Sequence, residues 1–219
     1  MIDSNILEYK NLEPLNVSRE TFLQFEAYCD LLIEENNKIN LISKSTEKDI
    51  RKRHIVDCAQ TIEFIDEKES ICTDIGSGSG LPGIVLAIIM KIKKPSMKFN
   101  LYEKSFRKCE FLTFVKKKLN LNAEVFQKDI FKEKNLKTDL IIARAFKPLP
   151  IVLNLADKNF KKFNSIIIFL GKNKKDILRN ALKNWSFDYK EKNSITSSES
   201  KIIKICNLKK NENKNNFSN

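Results

Sequence analysis

Four of the chain's five glycines, Gly76, Gly78, Gly80 and Gly83, fall in one run, Asp74-Ile75-Gly76-Ser77-Gly78-Ser79-Gly80-Leu81-Pro82-Gly83. Glycine concentrated in this way lets the backbone pass close beneath a ligand with no Cβ in between. Ser70 to Ile75 reads as a short apolar strand and Pro82 to about Ile92 as a helix. Proline suits the first helical turn, where its missing N–H would have no partner in any case. The glycines therefore join the first strand of an α/β unit to its first helix, facing the crevice at the carboxyl ends of the strands. A nucleotide-type ligand is the natural occupant. A flexible Gly-Ser linker would not sit between an apolar strand and a proline-led apolar helix.

Two ligands fit this spacing. Gly78 to Gly83 satisfies the dinucleotide fingerprint G-x-G-x-x-G, and Asp74 to Gly80 satisfies D-x-G-x-G-x-G, the loop of S-adenosylmethionine enzymes. The spacing alone does not choose between them. A pyrophosphate seeks helix N-terminal amides away from anions, and Asp74 stands two residues before the first glycine. A sulfonium ligand carrying an ammonium group tolerates that carboxylate. Glu103, at the end of the second strand, can accept hydrogen bonds from ribose hydroxyls in either reading.

The elements that position these residues alternate in type. After Ser70–Ile75 and the first helix come strands at Lys98–Glu103, Ala123–Gln127, Asp139–Ala143 and Ser165–Leu170, with helices over Phe106–Leu119 and near 149–161. Such alternation predicts a doubly wound, mostly parallel sheet with helices on both faces. A lysine-rich helix is expected over Asn173–Trp185 and a last strand over Lys201–Leu208, after the polar segment Asn193–Ser200. Upstream, Ser18 caps a helix with Phe22, Phe25, Cys29, Leu32 and Ile33 at helical spacing, and Val17 can staple onto Phe22. Thr46 can cap a second helix with Ile50, His54, Cys58, Ile62 and Ile65 on its apolar side. Three regions are expected: a helical extension over 1–66 continuous with the core, a ligand-binding core over 67–208, and a disordered tail over 209–219.

Composition narrows the function. The 219 residues are 42% hydrophobic, enough to build a core without disulfides or metal. The five cysteines form no C-x-x-C pair, and His54 is the single histidine, so reduced, mostly buried thiols and no metal site are expected. No apolar run approaches a membrane span and no signal peptide opens the chain, so a cytoplasmic protein without membrane contact is expected. The net charge of +12 divides unevenly: residues 1–36 carry −6 and the rest +18. A basic body favours a polyanionic partner, although 34 lysines against 6 arginines can also reflect AT-rich codon usage.

Five motifs occur together: Asn40-Leu41-Ile42, Arg53-His54-Ile55-Val56-Asp57-Cys58, Asp74 to Gly83, Glu103-Lys104-Ser105-x-x-Lys108-x-x-Phe111-Leu112, and Ala143-Arg144-Ala145-Phe146. In order and spacing the chain resembles the bacterial 16S rRNA guanine-N7 methyltransferase family, also called the glucose-inhibited division protein B family, over about residues 20–208. The resemblance implies a class I methyltransferase (Rossmann-like) fold that uses S-adenosylmethionine to methylate N7 of the guanine at position 527 of 16S rRNA, free or in the 30S subunit. A monomer is expected. Carried over by position, Gly76, Leu81, Asp129 and Ile130 are implied cofactor contacts and Arg144 a cofactor or substrate contact, joined by Gly78 and Gly80 from the loop itself and by Glu103 from the end of the second strand. The chain has Cys58 where the family often has serine, Ser79 for alanine or proline, and Leu170-Gly171-Lys172 for lysine-glycine.

The residues absent from the chain suit N7 chemistry. An exocyclic amine acceptor usually calls for an Asn/Asp-Pro-Pro-aromatic box after the fourth strand, where this chain has Ala143-Arg144-Ala145-Phe146-Lys147-Pro148. Pyrimidine C5 methylation needs a cysteine nucleophile. Guanine N7 has an in-plane lone pair and needs no general base, so Arg144 and His54 are candidates for orienting substrate only. Phe146 can stack on a base or pack in the core. Candidates for RNA contact are Arg51, Arg53, Lys104, Arg107, Lys108, Lys147 and Lys172. The competing readings are a small-molecule methyltransferase, without salt-dependent RNA affinity, a nicotinamide-dependent oxidoreductase, and a non-catalytic RNA-binding protein.

Overall fold

A computed structural model describes residues 9, 12, 15–171 and 173–211, with Lys174 described by its backbone alone. Helix α1 (Arg19–Asn36) begins as its sequence predicts, with the Ser18 hydroxyl accepting from Thr21 N–H at 3.3 Å. A composite helical stretch follows: 3-10 over Lys44–Asp49, π over Arg51–Val56, a single α turn at Asp57–Ala59, and 3-10 over Gln60–Phe64. Then come β1 (Ile71–Ile75), α2 (Gly83–Lys93), β2 (Lys98–Glu103), α3 (Phe106–Lys118) and β3 (Ala123–Gln127). The chain continues through β4 (Leu136–Lys137), β5 (Leu140–Ala143), α4 (Leu149–Asn159), β6 (Phe160–Lys162), β7 (Ser165–Leu170), α5 (Lys174–Leu182), β8 (Trp185–Asn193) and β9 (Lys201–Lys210).

The main sheet has the order β3-β2-β1-β5-β7-β9-β8. Its first five strands are parallel, and β9 runs antiparallel between β7 and β8. The central strands are continuous apolar runs because helices cover both faces: every residue of β5 is buried, and five of the six in β7. Connections leave β1 toward β2 on one side while β5 lies on the other, which opens a crevice at the carboxyl end of β1. Every residue of α2 from Gly83 to Met90 is buried, because α1 closes over the face turned away from the sheet. One hydrophobic cluster runs from Tyr9 and Leu12 through α1 and the composite stretch to α2 and β1.

Four expectations change. The predicted regular helix after Thr46 is the composite stretch, which starts after Ser43 with no side-chain capping bond, the Thr46 hydroxyl donating to the Ser43 carbonyl instead. The lysine-rich helix is shorter than Asn173–Trp185, because Trp185 is buried at the start of β8, a strand that the sequence did not lead us to expect. The last strand extends to Lys210, so residues 209 and 210 of the expected tail pair with β8, and 212–219 lie outside the described residues. A small parallel ladder between β4 and β6 was also not anticipated. Among the described residues no helix is long and apolar enough to cross a membrane.

Candidate active site

The glycine run folds into a tight loop hung on its neighbours. The N–H groups of Gly76 and Ser77 both donate to the Tyr102 carbonyl at 2.9 Å, and Gly80 N–H donates to the Ser77 carbonyl at 2.7 Å. Gly76, Gly78 and Gly80 all adopt positive φ, which side chains other than glycine rarely accept. From α1, the Tyr28 hydroxyl donates to the Ser79 carbonyl at 2.7 Å, so the N-terminal extension fixes the loop's underside.

Two carboxylates hold the loop in different ways. Glu103 accepts from Gly78 N–H at 3.0 Å through one oxygen and from Ser105 N–H at 2.8 Å through the other. Asp74 faces inward: it is buried, accepts from Gly83 N–H at 2.9 Å with Oδ2, and leaves Oδ1 without a hydrogen bond. Burial first, and then the Glu103 charge, push its carboxyl up to about 7, against the Gly83 and Ser77 hydrogen bonds. Asp74 therefore does not line the cleft as the charge comparison with a pyrophosphate assumed.

A cavity of about 700 Å³ opens above the loop. Gly76, Gly78, Leu81, Glu103, Asp129, Ile130 and Arg144 line it, as do His54, Lys104, Lys108 and Lys147. Asp129 caps the turn after β3 by accepting from Phe131 N–H at 3.1 Å. Gly80 is the exception among the predicted loop contacts: it points away from the cavity, and a Cβ there would lie 2.5 Å from Ile84 and 2.9 Å from Leu112. Its small size serves packing.

Opposite the loop, Arg144 is held on three sides. Its Nη2 donates to the Arg53 carbonyl at 2.8 Å and lies 3.2 Å from Asp57 Oδ2, and its Nη1 meets His54 Nδ1 at 3.2 Å. A guanidinium only donates, so His54 Nδ1 accepts and the ring proton sits on Nε2. That proton is given to Thr46 Oγ1 at 2.8 Å, whose own hydrogen goes to the Ser43 carbonyl. Burial, reinforced by the Arg144 charge, lowers His54 to about 4, so the ring is neutral near pH 7 and its lone pair is engaged. Asp57 is anchored in turn by Ser194 Oγ at 2.9 Å and Thr196 Oγ1 at 2.7 Å. Cys58, next in sequence, is buried and its thiol is pushed up to about 12, which keeps it from acting as a nucleophile.

The basic candidates separate. Arg51 is engaged within the fold, its Nε and Nη2 gripping the Glu26 carboxylate at 2.8 and 2.6 Å. The Arg53 side chain is exposed while its carbonyl serves Arg144. Arg107 and Lys108 border a surface groove with Lys38 and Lys44 that adjoins the cavity at Lys108. Lys172 lies outside the described residues. Reasoning from sequence missed Phe131 and Tyr102 in the cavity wall, and the only signal for Phe131 was adjacency to Asp129 and Ile130.

The model of a family described as rRNA small subunit methyltransferase G matches residues 22–206. The chain is 50% identical to ribosomal RNA small subunit methyltransferase G of Pelagibacter ubique over 92% of its length and 96% of that protein. It is 36% identical to the protein of the same name from Rickettsia akari, over 90% of this chain and 99% of the other. An S-adenosylmethionine-dependent methyltransferase from Aquifex aeolicus superposes with a TM-score of 0.53 at 14% identity, covering 73% of this chain and 92% of that one, which supports the fold. With its glycine loop, its Arg144 cluster and a family match that runs from residue 22 to residue 206, the chain belongs to the rRNA small subunit methyltransferase G family.

Proposed function

We propose that this chain transfers a methyl group from S-adenosylmethionine to N7 of a guanine in 16S rRNA, by family resemblance the one at position 527. It acts as a monomer, on 16S rRNA or the 30S subunit. The residues present fit the cofactor: a cavity of about 700 Å³ with Glu103 and Asp129 in its wall, and a loop of left-handed glycines beneath it. When bound, the cofactor supplies an electrophilic methyl group on a sulfonium. Gly76, Gly78 and Leu81 form the bed, with Gly80 supporting it from behind. The lone pairs left on Glu103 would accept from ribose hydroxyls, and Asp129 and Ile130 would hold the adenine end.

The observation that carries the reading is the engaged lone pair of His54, donated into by Arg144. The imidazole is thereby withheld as a base, and N7 requires none. Arg144 orients substrate or cofactor from a fixed position, and catalysis rests on alignment, worth up to about 7–11 kcal/mol when geometry is ideal. Incubation of unmodified 30S subunits with methyl-labelled S-adenosylmethionine should label one guanine, revealed by borohydride–aniline cleavage. Absence of cleavage overturns the N7 assignment. Failure to bind the cofactor overturns the methyltransferase reading, and Gly78→Asp, which sets a second carboxylate beside Glu103, should abolish that binding.

A further inference from the structure

A second cavity, of about 290 Å³, lies at the carboxyl ends of β5 and β7. Val152 and Ile168 form its inner wall and Phe169 its side, and Lys147 stands at its rim. It adjoins the 700 Å³ cleft through a shared lining of Ala145, Phe146 and Lys147. On the cleft side the Phe146 ring lies directly on the loop: a Cβ on Gly76 would fall 2.1 Å from Phe146 Cδ2. Phe131 stacks against it with ring centroids 5.8 Å apart. The Arg144 guanidinium sits 5.7 Å above the Phe169 ring. Ala145 holds a left-handed φ of 51°, a conformation that costs an alanine roughly 1–2 kcal/mol, so its neighbours impose the turn that aims Phe146.

We propose that this second cavity receives the target guanine, extruded from the RNA, with Phe146 as the ring against which the base stacks beside the methyl donor. The inference rests on the methyltransferase reading above. Size favours a base: the cavity is at the small end of ligand clefts, about 300–1,000 Å³, and well under half the volume of its neighbour. Chemistry on a base requires taking it out of the stack into a pocket that offers a ring to stack on, and Phe146 and Phe169 are the half-buried rings here. Edge chemistry favours guanine, which presents two acceptors, N7 and O6, where adenine presents one acceptor and one donor. Lys147, which lines both cavities, can only donate. With N7 left bare for reaction, O6 is the acceptor that remains for it. In the transfer the N7 lone pair forms the bond to the methyl carbon as the carbon–sulfur bond breaks. The bonding pair stays on sulfur, the positive charge passes to the guanine ring, and no proton leaves.

The test fills the cavity from behind. Val152→Phe should bind S-adenosylmethionine by calorimetry, and 30S subunits by filter binding, within about threefold of the unsubstituted protein. Its single-turnover label transfer should fall at least about 100-fold, the usual consequence of displacing a substrate by an ångström. Phe146→Ala should slow transfer by about 10- to 100-fold, as removal of one stacking ring does, and Phe146→Tyr should restore most of it. Transfer within threefold by a Val152→Phe protein that binds cofactor overturns the proposal, as does Phe146→Tyr failing to restore what alanine removes. If Val152→Phe binds no cofactor, its fold is lost and the Phe146 pair decides. Failure of the underlying reading looks different, because the unsubstituted protein would then label no 30S subunit.

Discussion

His54 and Asp74 titrate in opposite senses over one pH range. His54 is lowered from 6.5 to about 4, so between those values the unfolded chain binds more protons, and this group's contribution to stability falls as pH drops. Asp74 is raised from 3.8 to about 7, so the native state binds more protons in that window, and its contribution falls as pH rises. The two slopes offset one another between about pH 4 and 6.5. Asp74→Asn should therefore leave a stability that rises with pH across this range, and His54→Gln one that falls. Urea unfolding followed through Trp185, the single tryptophan and 4% exposed, measures both, and flat profiles in both variants would contradict the assignment. The glycines also divide. A Cβ on Gly83 would lie 2.6 Å from Asp74 Oδ2 and from Leu101, so Gly83→Ala should cost about 1–3 kcal/mol by overpacking. Gly78 has open space around it, and alanine there meets chiefly the backbone cost of φ +57°, roughly 1–2 kcal/mol, readable as a shift in the urea midpoint. The sequence displayed the glycine cluster plainly, but not which glycine faces a ligand and which faces the core, because that depends on Tyr28, Ile84 and Leu112 arriving from other elements.

At the scale of elements, the composite stretch over 44–64 does what a regular helix would not. Its π segment, Arg51–Val56, turns Arg51 back to α1 while His54 and Asp57 reach Arg144 on the strand side. Arg51→Ala should lower stability by about 1.5–3 kcal/mol, the range for a charge-assisted pair, and leave the salt dependence of RNA binding unchanged. Arg51→Lys should recover little, because lysine cannot reproduce the two-pronged grip. Parallel denaturant and filter-binding titrations separate these effects. Helical periodicity placed Ile50, His54, Cys58, Ile62 and Ile65 on the apolar side, but only Ile50 and Cys58 of these are fully buried, and Ile55 and Val56, outside that pattern, are buried as well, because the stretch is not a regular α-helix. The strand β8 escaped for a different reason. It is an edge strand whose alternation, Trp185 and Phe187 buried with Ser186 and Asp188 exposed, gives way to lysines and glutamates that resemble an exposed helix. The parallel core was the legible part, because strands buried on both faces have little freedom in composition.

For the whole molecule, charge was readable only in outline. The groove bordered by Lys44, Arg107 and Lys108 continues into the cleft at Lys108, giving a basic track toward the proposed base pocket. Replacing Lys104, Arg107 and Lys108 with glutamine should reduce the slope of log affinity against log salt by about 2, at roughly 0.7 for each phosphate that these side chains no longer neutralise on single-stranded RNA. An unchanged slope would move the RNA path elsewhere. Connectivity was less legible than charge, since nothing in the order of residues announces that β9 inserts between β7 and β8 or that Asp57 waits for Ser194 and Thr196. That wait has a duration. Asp57 and Ser194 are 137 residues apart, and a ribosome adding about 5–20 residues per second needs roughly 7–27 s to cover the interval. Through that time Asp57 lacks its anchors, and when Ser194 is reached β7 still lacks its neighbour β9, so the Arg144 side of the cleft is among the last parts of the protein to take shape.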